Sequence, residues 1–439
     1  MNRTAFDKKK NHIAILFCIL LIIAIGAGVY LLFMQSWAKS GIDALVGADY
    51  SPVHAHKGAS IESPGLPITE KADYPNAVDI YNTPLGFPII SFSQNWTENK
   101  LKDVYDELMA NKHGKEIYSV SEVMLYPDES ALDASTGVAG THVTEQKVFS
   151  LFFHLPGLVP DSLAYHINST KSSIELYNMD KYESVSQIAR TISHEYGHHY
   201  TMYHFMPDDD AAKSSQYYSL RGVDGFNHEV FFDIDSDYYE NHMWSVYEIA
   251  AEDYVQLMGS PTAKQQKEYL DIFDVLDNYN KNKDYTAYAD SSVSNVYPQE
   301  NIYIPLAHEV SGLSSYYLSF IGETSAAADM EKTDFNLSMT QHESYGYKYY
   351  EISWDKTTDD ENALYTLVCY DKNGNIFVPV RTIKGDETPV ARVGTAVKLS
   401  GITLTTLKNG ITDESRSFKL YVTWPDGRMQ SSEMFHADF

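Results

Sequence analysis

Hydrophobic and polar positions change rhythm several times along this chain. Residues 13–34, IAILFCILLIIAIGAGVYLLFM, carry no charge, and a run of that length crosses a bilayer as one helix. The rhythm is then lost from 36 to about 88, where six of the 16 prolines mix with Gly, Ser and Asp. Proline fixes φ and lacks a donor, so this stretch reads as a stalk or an extended wrap. FPIISFSQ at 87–94 restores order as a short strand. In 95–115, Leu101, Val104, Tyr105 and Leu108 fall on one helical face. EIYSVSEVMLYP (116–127) and KVFSLFFHL (147–155) read as strands. SLAYHIN (162–168) and SIELYN (173–178) flank the polar STKS (169–172) like the arms of a hairpin.

Two helices follow with clear punctuation. Ser184 and Gln187 form an S-x-x-Q capping box. Behind it Val185, Ile188, Ala189, Ile192, Tyr196 and Tyr203 line one side at helical spacing. SVYEIAAEDYVQLMG (245–259) is the second, closed by Gly259 with Pro261 beyond. SPTAKQQKEYLDIFDVLDNY (260–279) predicts a third, with Pro261 in its first turn. Past 335 the period becomes two. YYEISW (349–354) and SFKLYVTW (417–424) alternate, and Asn373-Gly374 marks a hairpin turn. Strands and helices followed by short strands predict an α+β domain and then an all-β sandwich.

Charge and cysteine content narrow the setting. With 33 Lys+Arg against 60 Asp+Glu the formal charge is -27, which argues against nucleic acid or an anionic membrane surface as partner. Arg3, Lys8, Lys9 and Lys10 precede the apolar run and only Lys39 follows closely. The expectation is a signal anchor with a cytoplasmic N-terminus and the rest outside the cell. Of the two cysteines Cys18 lies in the run, which leaves Cys369 without a partner outside. An exterior portion without disulfides suits a bacterial surface.

The chemistry sits at 193–204, SHEYGHHYTMYH. His194 and His198 are one turn apart, so both imidazoles can reach one zinc ion, with Glu195 beside them. Both face away from the apolar stripe. Two residues compete to be the third ligand. His204 completes an HExxHxxxxxH spacing, but a straight helix carries it about 80° round from His194, and Thr201 resists the bend a return would need. Glu248 lies on the second helix, one turn from Glu252. One carboxylate can bind metal while the other accepts an imidazole N–H. Against this, Ser245 and Glu248 also have capping-box spacing. The aspartates of DIDSD (233–237) read as an acidic loop.

HEYGH followed some fifty residues later by E-x-x-A-E resembles the gluzincin metallopeptidases, and EIAAEDYVQLM is similar to the glutamate helix of the anthrax lethal factor-type peptidases. The resemblance implies zinc ligands His194, His198 and Glu248, a catalytic Glu195, and Glu252 supporting a ligand imidazole. It also implies a sheet whose edge strand pairs with an extended peptide. Lethal factor-type enzymes carry an oxyanion-stabilising tyrosine seven residues before the glutamate. That position is Asn241 here, which leaves Tyr239, His242 or His228 as substitutes. The C-terminal part resembles a fibronectin type III or immunoglobulin-like module.

The expected organisation is a cytoplasmic 1–12, an anchor at 13–34, a stalk at 35–83, a zincin-like α+β metallopeptidase domain at 84–330 and a β-sandwich at 335–439. The expected function is a membrane-anchored extracellular zinc endopeptidase acting on protein or peptide. The competing reading is an adhesion protein with an inactive zincin domain, its β-domain binding a surface or cell-wall ligand.

Overall fold

Five strands build the first sheet: β1 (Asp79–Asn82), β2 (Pro88–Ser91), β3 (Val120–Leu125), β4 (Gly140–Phe149) and β5 (Ile167–Leu176), in the order β1-β2-β3-β5-β4. β2, β3 and β5 run parallel, and β1 and β4 are the antiparallel edges. The computed structural model describes residues 69–97, 99–128, 140–149, 167–226, 228–232, 242–265, 268–271, 274, 296, 299, 301, 303–324, 330–344, 347–370, 377–394, 397–399, 402–404, 416–425 and 428–437. The expected membrane span, most of the stalk, Tyr239, Asn241 and DIDSD lie outside them. Among the described residues no helix is long and apolar enough to cross a membrane.

Helix α1 (Asn99–Met109) buries Leu101, Val104 and Leu108, the face its spacing predicts. α2 (Val185–His204) starts where Gln187 Oε1 accepts the Ser184 N–H at 3.1 Å, completing the predicted box. It buries Ile188, Ala189, Ile192 and Tyr196. Tyr200, not Tyr203, continues that stripe into the core, where it stacks on Tyr317 and donates to the Tyr317 carbonyl at 2.6 Å. Two short helices follow, α3 (Asp209–Ser214) and α4 (Gln216–Arg221). α5 (Val246–Met258) is buried along nearly its whole length. Its Gly259 is required by space: a β-carbon there would stand 2.4 Å from the Val255 carbonyl oxygen. α6 (Leu313–Phe320) packs on α4 and α5. One apolar cluster joins the sheet to α1, α2, α5 and α6. The region is thus mixed α and β, with α2 lying against β4 and β5.

Several local expectations are corrected. STKS is no turn but the middle of β5, since β4 pairs with it residue by residue from Gly140↔Leu176 to Phe149↔Ile167. A polar run survives in the strand because Ser172 is buried and hydrogen-bonds His199. The strand expected at 116–127 begins with a 3-10 turn, Lys115–Ser119, which carries Glu116 under α2. β1 lies within the stretch read as irregular. The helix expected at 260–279 does not form over its first half: 261–264 are turns, and 265 and 268–271 are neither helix nor strand, while Asp274 is helical. There the chain makes tertiary bonds instead. The Tyr269 carbonyl accepts the Thr382 N–H at 2.8 Å, and Asp271 accepts the Arg392 N–H at 2.9 Å.

The last hundred residues form β6 (Glu331–Lys332), β7 (Ser338–Ser344), β8 (Tyr347–Ser353), β9 (Leu364–Tyr370), β10 (Phe377–Lys384), β11 (Val390–Gly394), β12 (Val397–Leu399), β13 (Ile402–Leu404), β14 (Arg416–Thr423), β15 (Met429–Ser431) and β16 (Phe435–Ala437). β10-β9-β14-β15-β6 make one sheet, with β16 also on β14, and β11-β8-β7 make another. Ile352, Leu367, Val393, Phe418 and Leu420 from both sheets bury in one cluster. β14 is fastened to the helical region at Glu309, which accepts from Lys419 and, at 3.0 Å, from Tyr421.

Candidate metal centre

α2 and α5 pack antiparallel, and their facing side chains interleave. Arg190, His194 and His198 stand one turn apart on α2, opposite Glu252 and Glu248 on α5. Arg190 Nη2 lies 2.6 Å from Glu252 Oε1, and that oxygen lies 3.3 Å from His194 Nδ1. His194 Nε2 lies 2.9 Å from Glu248 Oε2, which is 3.4 Å from His198 Nε2. The two imidazole Nε2 atoms are 3.2 Å apart. Close approach of the helices depends on the glycine of HEYGH, since Gly197 faces the Ala251 backbone directly.

Three donors therefore converge: His194 Nε2, His198 Nε2 and Glu248 Oε2. Tetrahedral zinc with bonds of about 2.0–2.1 Å separates its ligand atoms by roughly 3.3 Å. The observed separations of 2.9, 3.2 and 3.4 Å bracket that edge. The group can hold a metal ion, and a neutral imidazole pair with one carboxylate is a donor set suited to zinc. Glu248 does not serve the helix end as its spacing allowed. Its carboxylate faces the imidazoles, and Ser245 makes no side-chain cap.

The electrostatics are those of a dense, buried cluster. Burial opposes ionisation of Glu248, but His198, His194 and His242 hold its carboxyl well below the usual range. Burial likewise opposes Glu252, yet Arg190 and His194 bring it down to about 2. Burial works against a charged His194, and the two glutamates overcome it and raise its pKa well above normal. Glu195 differs from its neighbours. It is 5% exposed, and burial pushes its carboxyl up against the opposing pull of His194 and His198.

The other expected residues fall in distinct places. His242 opens the 3-10 turn His242–Trp244, and its Nε2 reaches Glu248 Oε2 at 3.2 Å. His228 is exposed and stacks on Trp244 with ring centroids 4.4 Å apart. His204 lies off the cluster: its Nε2 is 3.0 Å from Glu116 Oε2, and its ring stacks on Phe320. Glu116 is fully buried and holds the far side of α2. It accepts from Tyr196 at 2.8 Å and from the Gly114 N–H at 2.7 Å, while its own carbonyl meets His199 Nε2 at 2.7 Å.

Arg190 and Glu116 were not anticipated. Arg190 carried one usable signal, its place one turn before His194. Glu116 carried none, because the residues it serves are some 80 positions away.

No protein-family model matches the chain, and no curated protein matches it. Among solved structures it is similar to a catalytically inactive OgpA from Akkermansia muciniphila in complex with an O-glycopeptide (glycodrosocin) substrate. The identity is 7% over 44% of this chain and 52% of that one, with a TM-score of 0.16. The chain thus spans about half the length of that protein. A likeness so slight carries no weight for fold or activity, and the account of the site rests on its own residues.

Proposed function

We propose that the chain is a zinc-dependent peptidase of zincin-like architecture, with the metal held by His194, His198 and Glu248. The observation that carries this reading is the convergence of those three donors at tetrahedral spacing beside a buried Glu195. Zinc bound there supplies Lewis acidity, polarising a scissile carbonyl and making water a better proton donor. Glu195 takes a proton on its carboxylate from the attacking water and returns it to the leaving nitrogen. Its burial suits the first half of that transfer, because a carboxylate with a raised pKa is a stronger base toward the water. Glu252 Oε1, 3.3 Å from His194 Nδ1, is placed to accept its proton and so to keep the lone pair of Nε2 toward the metal. His242 fills the role left open by Asn241: its Nε2, beside Glu248, donates to the oxyanion as the carbonyl is attacked.

Substrate is held as an extended peptide. β4 ends the sheet order, and among the described residues it pairs with β5 alone. Its open edge offers main-chain donors and acceptors to a peptide strand next to α2. The anchor reading follows the sequence: residues 13–34 hold the peptidase outside a bacterial membrane, after four basic residues.

The test is Glu195→Gln in the full-length protein with an unfolded protein as substrate. The variant should keep stoichiometric zinc and lose hydrolysis by a factor of at least about a hundred. Cleavage at the wild-type rate would refute the mechanism.

A further inference from the structure

Arg190 has no part in the chemistry proposed above, yet it shares an oxygen with a group that does. Glu252 Oε1 takes the guanidinium at 2.6 Å and lies 3.3 Å from His194 Nδ1. The carboxylate is 10% exposed and the Arg190 side chain 32% exposed. This is not a rim ion pair between two long, mobile side chains, which contributes little. One partner is nearly dry and stands beside the imidazole as well.

Without the guanidinium, Oε1 loses the donor that fixes it beside Nδ1, and the carboxylate can turn away. The ring proton can then sit on Nε2, where Glu248 Oε2 lies 2.9 Å away. His194 would then present its N–H, not its lone pair, to Glu248 and the metal. Spacing supports a built arrangement. Arg190, His194 and His198 recur every four residues along α2 and interleave with Glu252 and Glu248, themselves four apart on α5.

Resting on the metal site proposed above, we propose that Arg190 is a positioning residue for it: held on Glu252 Oε1, it keeps that carboxylate accepting from His194 Nδ1 and so fixes the nitrogen His194 gives to the metal. Arg190 touches neither metal nor substrate in this scheme. It acts entirely through Glu252, and that makes it separable from a general brace between the helices.

The experiment is a double-mutant cycle on zinc affinity in the full-length protein, using Zn2+ alone against a competing chelator. The variants are Arg190→Met, Arg190→Lys, Glu252→Gln and the Met/Gln pair. Arg190→Met should weaken zinc about 10–100-fold, the range for loss of such a supporting contact. Arg190→Lys, which restores the charge, should recover at least about half of that loss on a logarithmic scale. In the Glu252→Gln background, Arg190→Met should add less than about threefold, since its route is already cut. Thermal unfolding of the metal-free forms is read in parallel and should be similar for Arg190→Lys and wild type.

Wild-type affinity in Arg190→Met would overturn the inference while leaving the metal site standing. So would a loss just as large in the Glu252→Gln background, which would mark Arg190 as a helix brace. A wild-type protein that takes up no zinc would remove the site itself and the inference with it.

Discussion

Gly197 lies so close to Ala251 that a β-carbon built on it would stand 2.9 Å from the Ala251 carbonyl oxygen and 3.1 Å from its Cα. Both are backbone atoms, so α2 and α5 would have to separate. Gly197→Ala gains up to about 1 kcal/mol of helix propensity and sets it against overpacking of about 1–3 kcal/mol. The expected net result is a mild loss of stability in urea. A loss of zinc affinity should accompany it, because Glu248 is carried on the helix that moves. A variant binding zinc as tightly as wild type would show that the glycine does not set the helix spacing.

His204 and Glu116 make the complementary case, a histidine with ligand-like spacing in the sequence and a structural partner in the fold. His204→Gln should therefore keep stoichiometric zinc, whereas a ligand at that position would cost the metal. Burial opposes the Glu116 charge, but hydrogen bonds from His204 and the Gly114 N–H hold its pKa below the ordinary value of 4.5. A depressed carboxylate stabilises the fold above its unfolded pKa, and that contribution is lost as pH falls through the folded one. The destabilisation caused by His204→Gln should accordingly be largest near neutrality and shrink below about pH 4. Denaturant midpoints measured from pH 3 to pH 7 check this. A difference between the two proteins that does not vary with pH would mean the pair carries no linkage.

His242 is expected to act on turnover and not on metal. His242→Phe should keep zinc and lower kcat about 10²–10³-fold, the cost of one oxyanion donor. KM should change little. An unchanged kcat would return the role to another group, with Tyr239 the next to replace. Exposed His228, stacked on Trp244, should tolerate substitution with a modest effect on either constant.

How much of this was legible depended on whether the decisive interactions were local. The α2 box, the stripe of Ile188, Ala189, Ile192 and Tyr196, and the Gly259 stop are local and were read directly. So was the pairing of His194 with His198, which one turn of helix fixes. Glu248 was reachable because its helix carries a second carboxylate one turn on. The failures share a cause. STKS looked like a turn because what makes it a strand, its backbone pairing with β4 and the bond from Ser172 to His199, is with partners distant in sequence. The stretch at 268–271 looked helical, yet it gives its backbone and Asp271 to β10 and β11. Tyr200 displaced Tyr203 from the core stripe because α6 supplies Tyr317 to stack on it.

The central claim is a single zinc ion held by His194, His198 and Glu248. The most direct measurement is metal content by mass spectrometry of full-length wild type, His194→Ala and Glu248→Ala after exposure to zinc and removal of excess. The account predicts one zinc per wild-type chain and well under half of that in either variant. Zinc absent from wild type, or retained in full by Glu248→Ala, would contradict it.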